Sequence, residues 1–99
     1  MAHRKVIWTK NAELLFKEIL TFYIKRNQNK TYSKKLLQKV KSLTKKLSNF
    51  PFLGFEIETT NYREIIFDHY SVIYSVSETE IVIKLIWDHR RNPDELRLR

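Results

Sequence analysis

The spacing of apolar side chains changes along this chain, and each change marks an element. Lys5-Val6-Ile7-Trp8-Thr9 is a short β-prone run and predicts a first strand. From Lys10 onward, Ala12, Leu15, Phe16, Ile19, Leu20, Tyr23 and Ile24 recur at three- and four-residue intervals. That spacing places them on one face of a helix running to about Arg26. Thr9 precedes it and supplies a hydroxyl for a free backbone N–H of the first turn. Asn27-Gln28-Asn29-Lys30 is polar and reads as a connection. Leu36, Val40, Leu43 and Leu47, broadened by Leu37, form the stripe of a second helix starting near Thr31 or Ser33. With Ser33 as N-cap, Tyr32 and Leu37 are placed for a hydrophobic staple. Asn49-Phe50-Pro51 ends this helix, because proline disfavours helical geometry in the residue before it.

Beyond Pro51 the period becomes that of strands. Gly54 to Glu58 is an ambiguous extended segment, and Tyr62 to Phe67 is a strand. After the turn at Asp68-His69, Tyr70, Val72, Tyr74 and Val76 alternate with Ser71, Ile73 and Ser75. Ser77-Glu78-Thr79 turns the chain again. Ile81 to Trp87 is then apolar throughout except for Lys84. Such a run predicts a strand buried on both faces and central in its sheet. It stops on Asp88-His89-Arg90-Arg91, and Asn92-Pro93 signals a turn, so the last strand is expected to deliver His89, Arg90 and Arg91 to one shared groove. The predicted order is β-α-α-β-β-β. It describes an α+β domain over residues 1–99, with an N-terminal helical hairpin packed on a small, mainly antiparallel sheet.

Composition narrows the chemistry. Among 99 residues, 19 Lys and Arg against 11 Asp and Glu give a net charge of +8, which implies polyanionic or acidic partners. No cysteine is present, so disulfides and thiolate metal sites are excluded. His3, His69 and His89 lack metal-ligand spacing, and the single Gly54 cannot build a phosphate-cradling loop. Neither a metal nor a cofactor is expected. No apolar run approaches the ~20 residues of a membrane span, and the N-terminus lacks a signal-peptide core; the expected place is the cytoplasm. Between Glu18 and Glu56 there is no acidic residue, while Lys25, Arg26, Lys30, Lys34, Lys35, Lys39, Lys41, Lys45 and Lys46 fall in that interval. A charge run is usually a solvated face. Here, however, nothing offsets the i,i+4 repulsion of Lys35 with Lys39 or of Lys41 with Lys45. Lys34, Lys35, Lys41 and Lys45, with Arg90 and Arg91, are the candidate contacts to a target or nucleic acid.

One catalytic constellation fits these residue types. Metal-free RNA cleavage needs a base, an acid and cations on the phosphate. The imidazole of His89 suits base or acid. Arg63, Arg90 and Arg91 suit phosphate oxygens, and Glu56 or Glu58 suits a second acid or base. The structural alternatives are a strand-end His89 bonded to Asp88 or backbone, and an Arg63 held in a buried ion pair.

Four stretches together resemble the RelE/ParE superfamily of small basic toxins from bacterial type II toxin–antitoxin systems. They are Leu47-Ser-Asn-Phe-Pro-Phe-Leu-Gly54, Asn61-Tyr62-Arg63-Glu64-Ile65, Tyr70-Ser-Val-Ile-Tyr74-Ser-Val, and Ile83 to Pro93 with its Arg90-Arg91-Asn92-Pro93 end. The resemblance implies a growth-inhibiting, plasmid-stabilisation type of toxin. It also implies a cognate antitoxin whose C-terminal segment, often acidic, wraps the toxin in a hetero-oligomer. RelE-like members cut mRNA in the ribosome, whereas ParE-like members poison DNA gyrase. Where RelE-like nucleases carry lysines this chain has Ile65 and Phe67, and Ser71 stands where they carry an arginine. That depletion favours the ParE-like activity without catalysis. A ribosome-dependent endoribonuclease, or a basic nucleic-acid-binding module without toxicity, are the alternatives.

Overall fold

The computed structural model describes residues 3–91. Its elements are β1 (Lys5–Trp8), α1 (Lys10–Asn27), α2 (Thr31–Asn49), β2 (Phe55–Glu56), β3 (Tyr62–Phe67), β4 (Tyr70–Val76) and β5 (Glu80–Asp88). One five-stranded sheet runs β1-β5-β4-β3-β2. β1 lies parallel to β5, and every other pairing is antiparallel. The helical hairpin covers one face of this sheet. From it Ala12, Phe16, Ile19, Tyr23, Leu36, Val40 and Leu47 meet Tyr70, Val72, Tyr74, Ile81, Ile83 and Ile86 in a single core. Both predicted helical stripes therefore do what their periodicity requires.

Three expectations need correction. The ambiguous segment after Gly54 contains a short strand, β2, so the order is β-α-α-β-β-β-β. β4, not β5, is the middle strand. Its residues Tyr70 to Tyr74 are buried on both faces, while β5 alternates between buried and half-buried positions. The apolar run of β5 reflects flanking by two neighbours, a condition β4 meets with serines on one face. Ser33, finally, is not a cap. Helix α2 begins at Thr31 with Lys30 before it and no side-chain cap. Ser33 is buried and donates from Oγ to the Leu20 carbonyl at 2.8 Å, so its hydroxyl ties the two helices together. Tyr32 packs its ring on that of Tyr23.

A β-bulge in β5 sets the geometry of the strand's end. Ile73 is paired with Leu85 but Tyr74 with Ile83, leaving Lys84 as the extra residue. Strict alternation would place Ile81, Ile83, Leu85 and Trp87 on one face. The bulge shifts the parity, so Ile81, Ile83, Ile86 and Asp88 are the buried set. Thr9 secures this irregularity. It caps α1 as expected, with Oγ1 accepting from the Ala12 amide at 3.1 Å. The same hydroxyl donates to the Lys84 carbonyl at 3.1 Å.

The loop after α2 is fixed by Tyr74. Its buried hydroxyl donates to the Pro51 carbonyl at 2.9 Å and accepts from the Gly54 amide at 2.8 Å. A Cβ on Gly54 would lie 2.8 Å from both the Glu64 carbonyl oxygen and the Tyr74 hydroxyl. Gly54→Ala is therefore expected to destabilise the fold by about 1–3 kcal/mol through overpacking, read as a lowered urea midpoint at unchanged slope.

Candidate functional site

Part of the chemistry predicted from sequence sits at the end of β5, where a buried carboxylate organises the chain. Asp88 is 1% exposed. Its Oδ2 accepts from the Tyr23 hydroxyl of α1 at 2.7 Å. Its Oδ1 accepts from the backbone amides of Arg90 at 2.9 Å and Arg91 at 3.3 Å. An aspartate folded back on the two amides beyond it is a local turn device. Here it fixes the direction in which the chain leaves the strand.

Aromatic rings extend this anchor. The Arg90 guanidinium lies 5.2 Å from the Tyr23 ring centre and 5.6 Å from that of Tyr32, within cation–π range of both. It also donates to the Tyr32 hydroxyl at 2.7 Å, and that hydroxyl is hydrogen-bonded to the hydroxyl of Tyr70. Strand β4 and both helices thus meet around one arginine. Burial and then the bond donated to Asp88 push the Tyr23 hydroxyl above its ordinary pKa of 10.0. Burial and then the bond with Tyr32 push Tyr70 up further. Burial likewise raises Tyr74, against the opposing influence of the Gly54 amide.

His89, Arg90 and Arg91 do not share a groove, contrary to expectation. Strand alternation and the Asp88 turn send them in different directions. The His89 ring reaches Ser71 on the sheet face away from the helices, with Nε2 and Oγ 2.8 Å apart. Its amide donates to the His69 carbonyl at 2.9 Å, a backbone bond of the kind the structural alternative expected. Arg90 lies on the tyrosines, and Arg91 stacks over Phe22 of α1 at 4.7 Å.

Arg63 stands apart altogether. It pairs with Tyr74 in the sheet, whereas Asp88 pairs with Tyr70. Four residues along a strand separate these rows by roughly 13 Å. The Arg63 guanidinium donates to the carbonyls of Gly54 at 2.6 Å and Phe52 at 3.4 Å. It lies 4.9 Å from the Phe52 ring and 3.5 Å from the largely exposed Glu56 carboxylate. Its bonds chiefly close the loop, and the ion pair with Glu56 is long and open to water. Glu56 and the neighbouring Glu58 lie at that distant end too. Asn92-Pro93 lies outside the described residues. Among the described residues no cluster of three His, Cys, Asp or Glu side chains is placed to hold a metal, and no helix is long and apolar enough to cross a membrane.

The lysines divide between two flanks of α2. Lys41 borders the seam with α1, beside Lys17 and Leu37. Lys35 borders a groove toward the β3–β4 turn, with Lys39 and Lys46. Lys34 and Lys45 are exposed as well. The tyrosine box around Arg90 escaped the sequence reading, which assigned Tyr23 to a core stripe. The available signal was three polar-tipped rings, Tyr23, Tyr32 and Tyr70, in elements that must all meet at one end of the sheet.

Asp88→Ala is expected to cost about 3 kcal/mol, since it strands a buried hydroxyl and two amides. Asp88→Asn retains an acceptor for the amides and should cost about 1 kcal/mol; urea denaturation of both variants reads the difference. The raised tyrosines give a pH signature. Their protonated forms are favoured in the fold, so that contribution is complete below pH 10 and is lost as pH rises through the folded values. Denaturation midpoints measured from pH 8 upward should decline beyond pH 10, and Tyr70→Phe should flatten the decline.

Comparison with known proteins agrees with this architecture. The sequence matches the family described as ParE toxin of type II toxin-antitoxin system, parDE, over residues 6–93. A solved structure of the chromosomal ParDE TA system from P. aeruginosa is similar in fold, with a TM-score of 0.73 at 20% identity. The match covers 87% of this chain and 96% of that one. No curated protein matches the sequence. The family match takes in both helices, all five strands and the arginine-bearing end of β5, and the chain belongs to the ParE toxin family of type II toxin–antitoxin systems.

Proposed function

We propose that this toxin acts by binding DNA gyrase and trapping it on cleaved DNA, without cutting RNA itself. Family membership gives it a cognate antitoxin as partner; the target is our inference. One observation carries it: the groups that RNA cleavage would require are dispersed. Metal-free cleavage needs acid, base and cations around a single phosphate. Arg63 and Glu56 lie at the other end of the sheet from His89, and His89 faces away from Arg90. Ile65 and Phe67, at positions where the nucleases carry lysines, pack against the hydrophobic core. Ser71, which replaces an arginine, is fully buried. A toxin that binds needs only recognition groups on a rigid support, and the pinned strand end with exposed Arg90 provides one. Gyrase acts on the chromosome, so the proposed place of action is the cytoplasm.

Purified toxin added to gyrase and supercoiled plasmid should accumulate cleaved DNA complexes, trapped by detergent. The double variant Arg90→Ala/Arg91→Ala should reduce them at least ~10-fold, as loss of a binding hot spot would. Messenger RNA in a translation extract should stay intact. Codon-positioned cuts abolished by His89→Ala would overturn the proposal in favour of a ribonuclease.

A further inference from the structure

Helix α1 carries a stripe that the core does not use. Leu14, Glu18 and Phe22 step along it by four residues, and Lys17 and Lys25 lie three beyond Leu14 and Phe22. Side chains so spaced share one helical face. All five are exposed, and with Arg91 they line a groove of about 430 Å³. Leu14 is 52% and Phe22 38% exposed, whereas Phe16, Ile19 and Tyr23 of the same helix lie in the core. A single exposed apolar side chain needs no explanation. Two in one groove, rimmed by cations, form the pattern of a recognition surface.

Phe22 is also held in place. Tyr23 meets it edge to face, with ring centres 4.9 Å apart and planes at 88°. The Arg91 guanidinium lies 4.7 Å from the Phe22 ring centre, and the Arg91 amide is one of the two that Asp88 holds. The clamp at the end of β5 thus fixes an arginine–aromatic pair on the surface of α1. An anchor ordered in advance loses little freedom on binding. Arg90 differs, because its guanidinium is engaged by the Tyr32 hydroxyl and by two rings. Arg91 is the strand-end arginine that opens on the groove.

The make-up of the groove distinguishes protein from DNA as its occupant. Glu18 stands midway between Leu14 and Phe22 and would repel a phosphate, and the two apolar side chains offer a phosphodiester no hydrogen bond. A protein surface that brings an apolar side chain to Leu14 and Phe22, and carboxylates to Lys17, Lys25 and Arg91, satisfies every group.

We propose that the outer face of α1 is the surface by which the toxin docks on the protein part of its target, with Phe22 and Leu14 as anchors and Arg91 holding Phe22 in its binding position. The proposal rests on the reading above that the toxin acts by binding, and it extends the contact from the end of β5 along the helix.

The test expresses full-length variants from a titratable promoter in cells without antitoxin, and immunoblotting gives the toxin level that halves the growth rate. Leu14→Lys alters an exposed position and should require about tenfold more toxin. Phe22→Ala should do the same, with circular dichroism of the purified variant verifying the fold. Glu18→Lys should require about threefold more, although it makes the protein more basic. Ile66→Lys, at a position 56% exposed on β3, should leave the level unchanged. Undiminished growth inhibition by Leu14→Lys would overturn the proposal, as would an equal loss in Ile66→Lys. Stronger inhibition by Glu18→Lys would also overturn it, since that is the response of a face that contacts DNA. Gyrase trapping by the unaltered toxin reports separately on the target. Failure to trap, with the α1 variants still defective in growth arrest, would remove gyrase and keep the docking face.

Discussion

A carboxylate out of water must have its hydrogen bonds supplied by the protein. At the end of β5 that requirement ties together parts of the chain that are distant in sequence. Asp88 takes a hydroxyl from α1 and two amides from its own continuation. Withdrawing any of these groups leaves an unsatisfied partner in a nearly dry setting. The helix, the strand and the departing chain are therefore held in one relative arrangement. Arg90 follows from it, because the turn that Asp88 closes lays its guanidinium on the rings of Tyr23 and Tyr32.

The bulge at Lys84 makes this possible. Without the extra residue Asp88 would share the face of Ser71, away from the hairpin. With it, Asp88 turns under α1 and finds Tyr23. Thr9 bonds both the first turn of that helix and the carbonyl of the bulge, so one hydroxyl couples the helix that supplies the tyrosine to the irregularity that presents the aspartate. The parallel pairing of β1 with β5 brings Thr9 there. A local departure from strand geometry thus determines where the functional end of the sheet points.

Much of the scaffold was legible in the sequence because it rests on periodicity. The stripes from Ala12 to Tyr23 and from Leu36 to Leu47 face the sheet as their spacing demands, and β3 and β4 occupy the predicted residues. Less was legible where a tertiary partner overrides a local preference. Ser33 has the chemistry of a cap yet bonds across the hairpin. Arg63 has the chemistry of a phosphate ligand yet closes a loop on carbonyls. Lys84, one charge in an apolar run, marks the bulge, but the run alone does not say that residue count and pairing differ there. The directions of His89, Arg90 and Arg91 depend on that count, which explains why three neighbours expected in one groove are separated. The lysines of α2, by contrast, lie on the surface that their spacing predicts, and only the coordinates join Leu43 and Phe67 to them.

The central claim is that Asp88 holds the chain beyond β5 through its amides, and amide hydrogen exchange followed by NMR addresses it residue by residue. The account predicts that the Arg90 amide exchanges slowly, with protection comparable to its neighbours in β5, and that this protection collapses in Asp88→Ala while α2 retains its own. Arg90 exchange at the rate of an unstructured peptide in the wild-type protein would contradict it, because the strand end would then be free to choose its own direction.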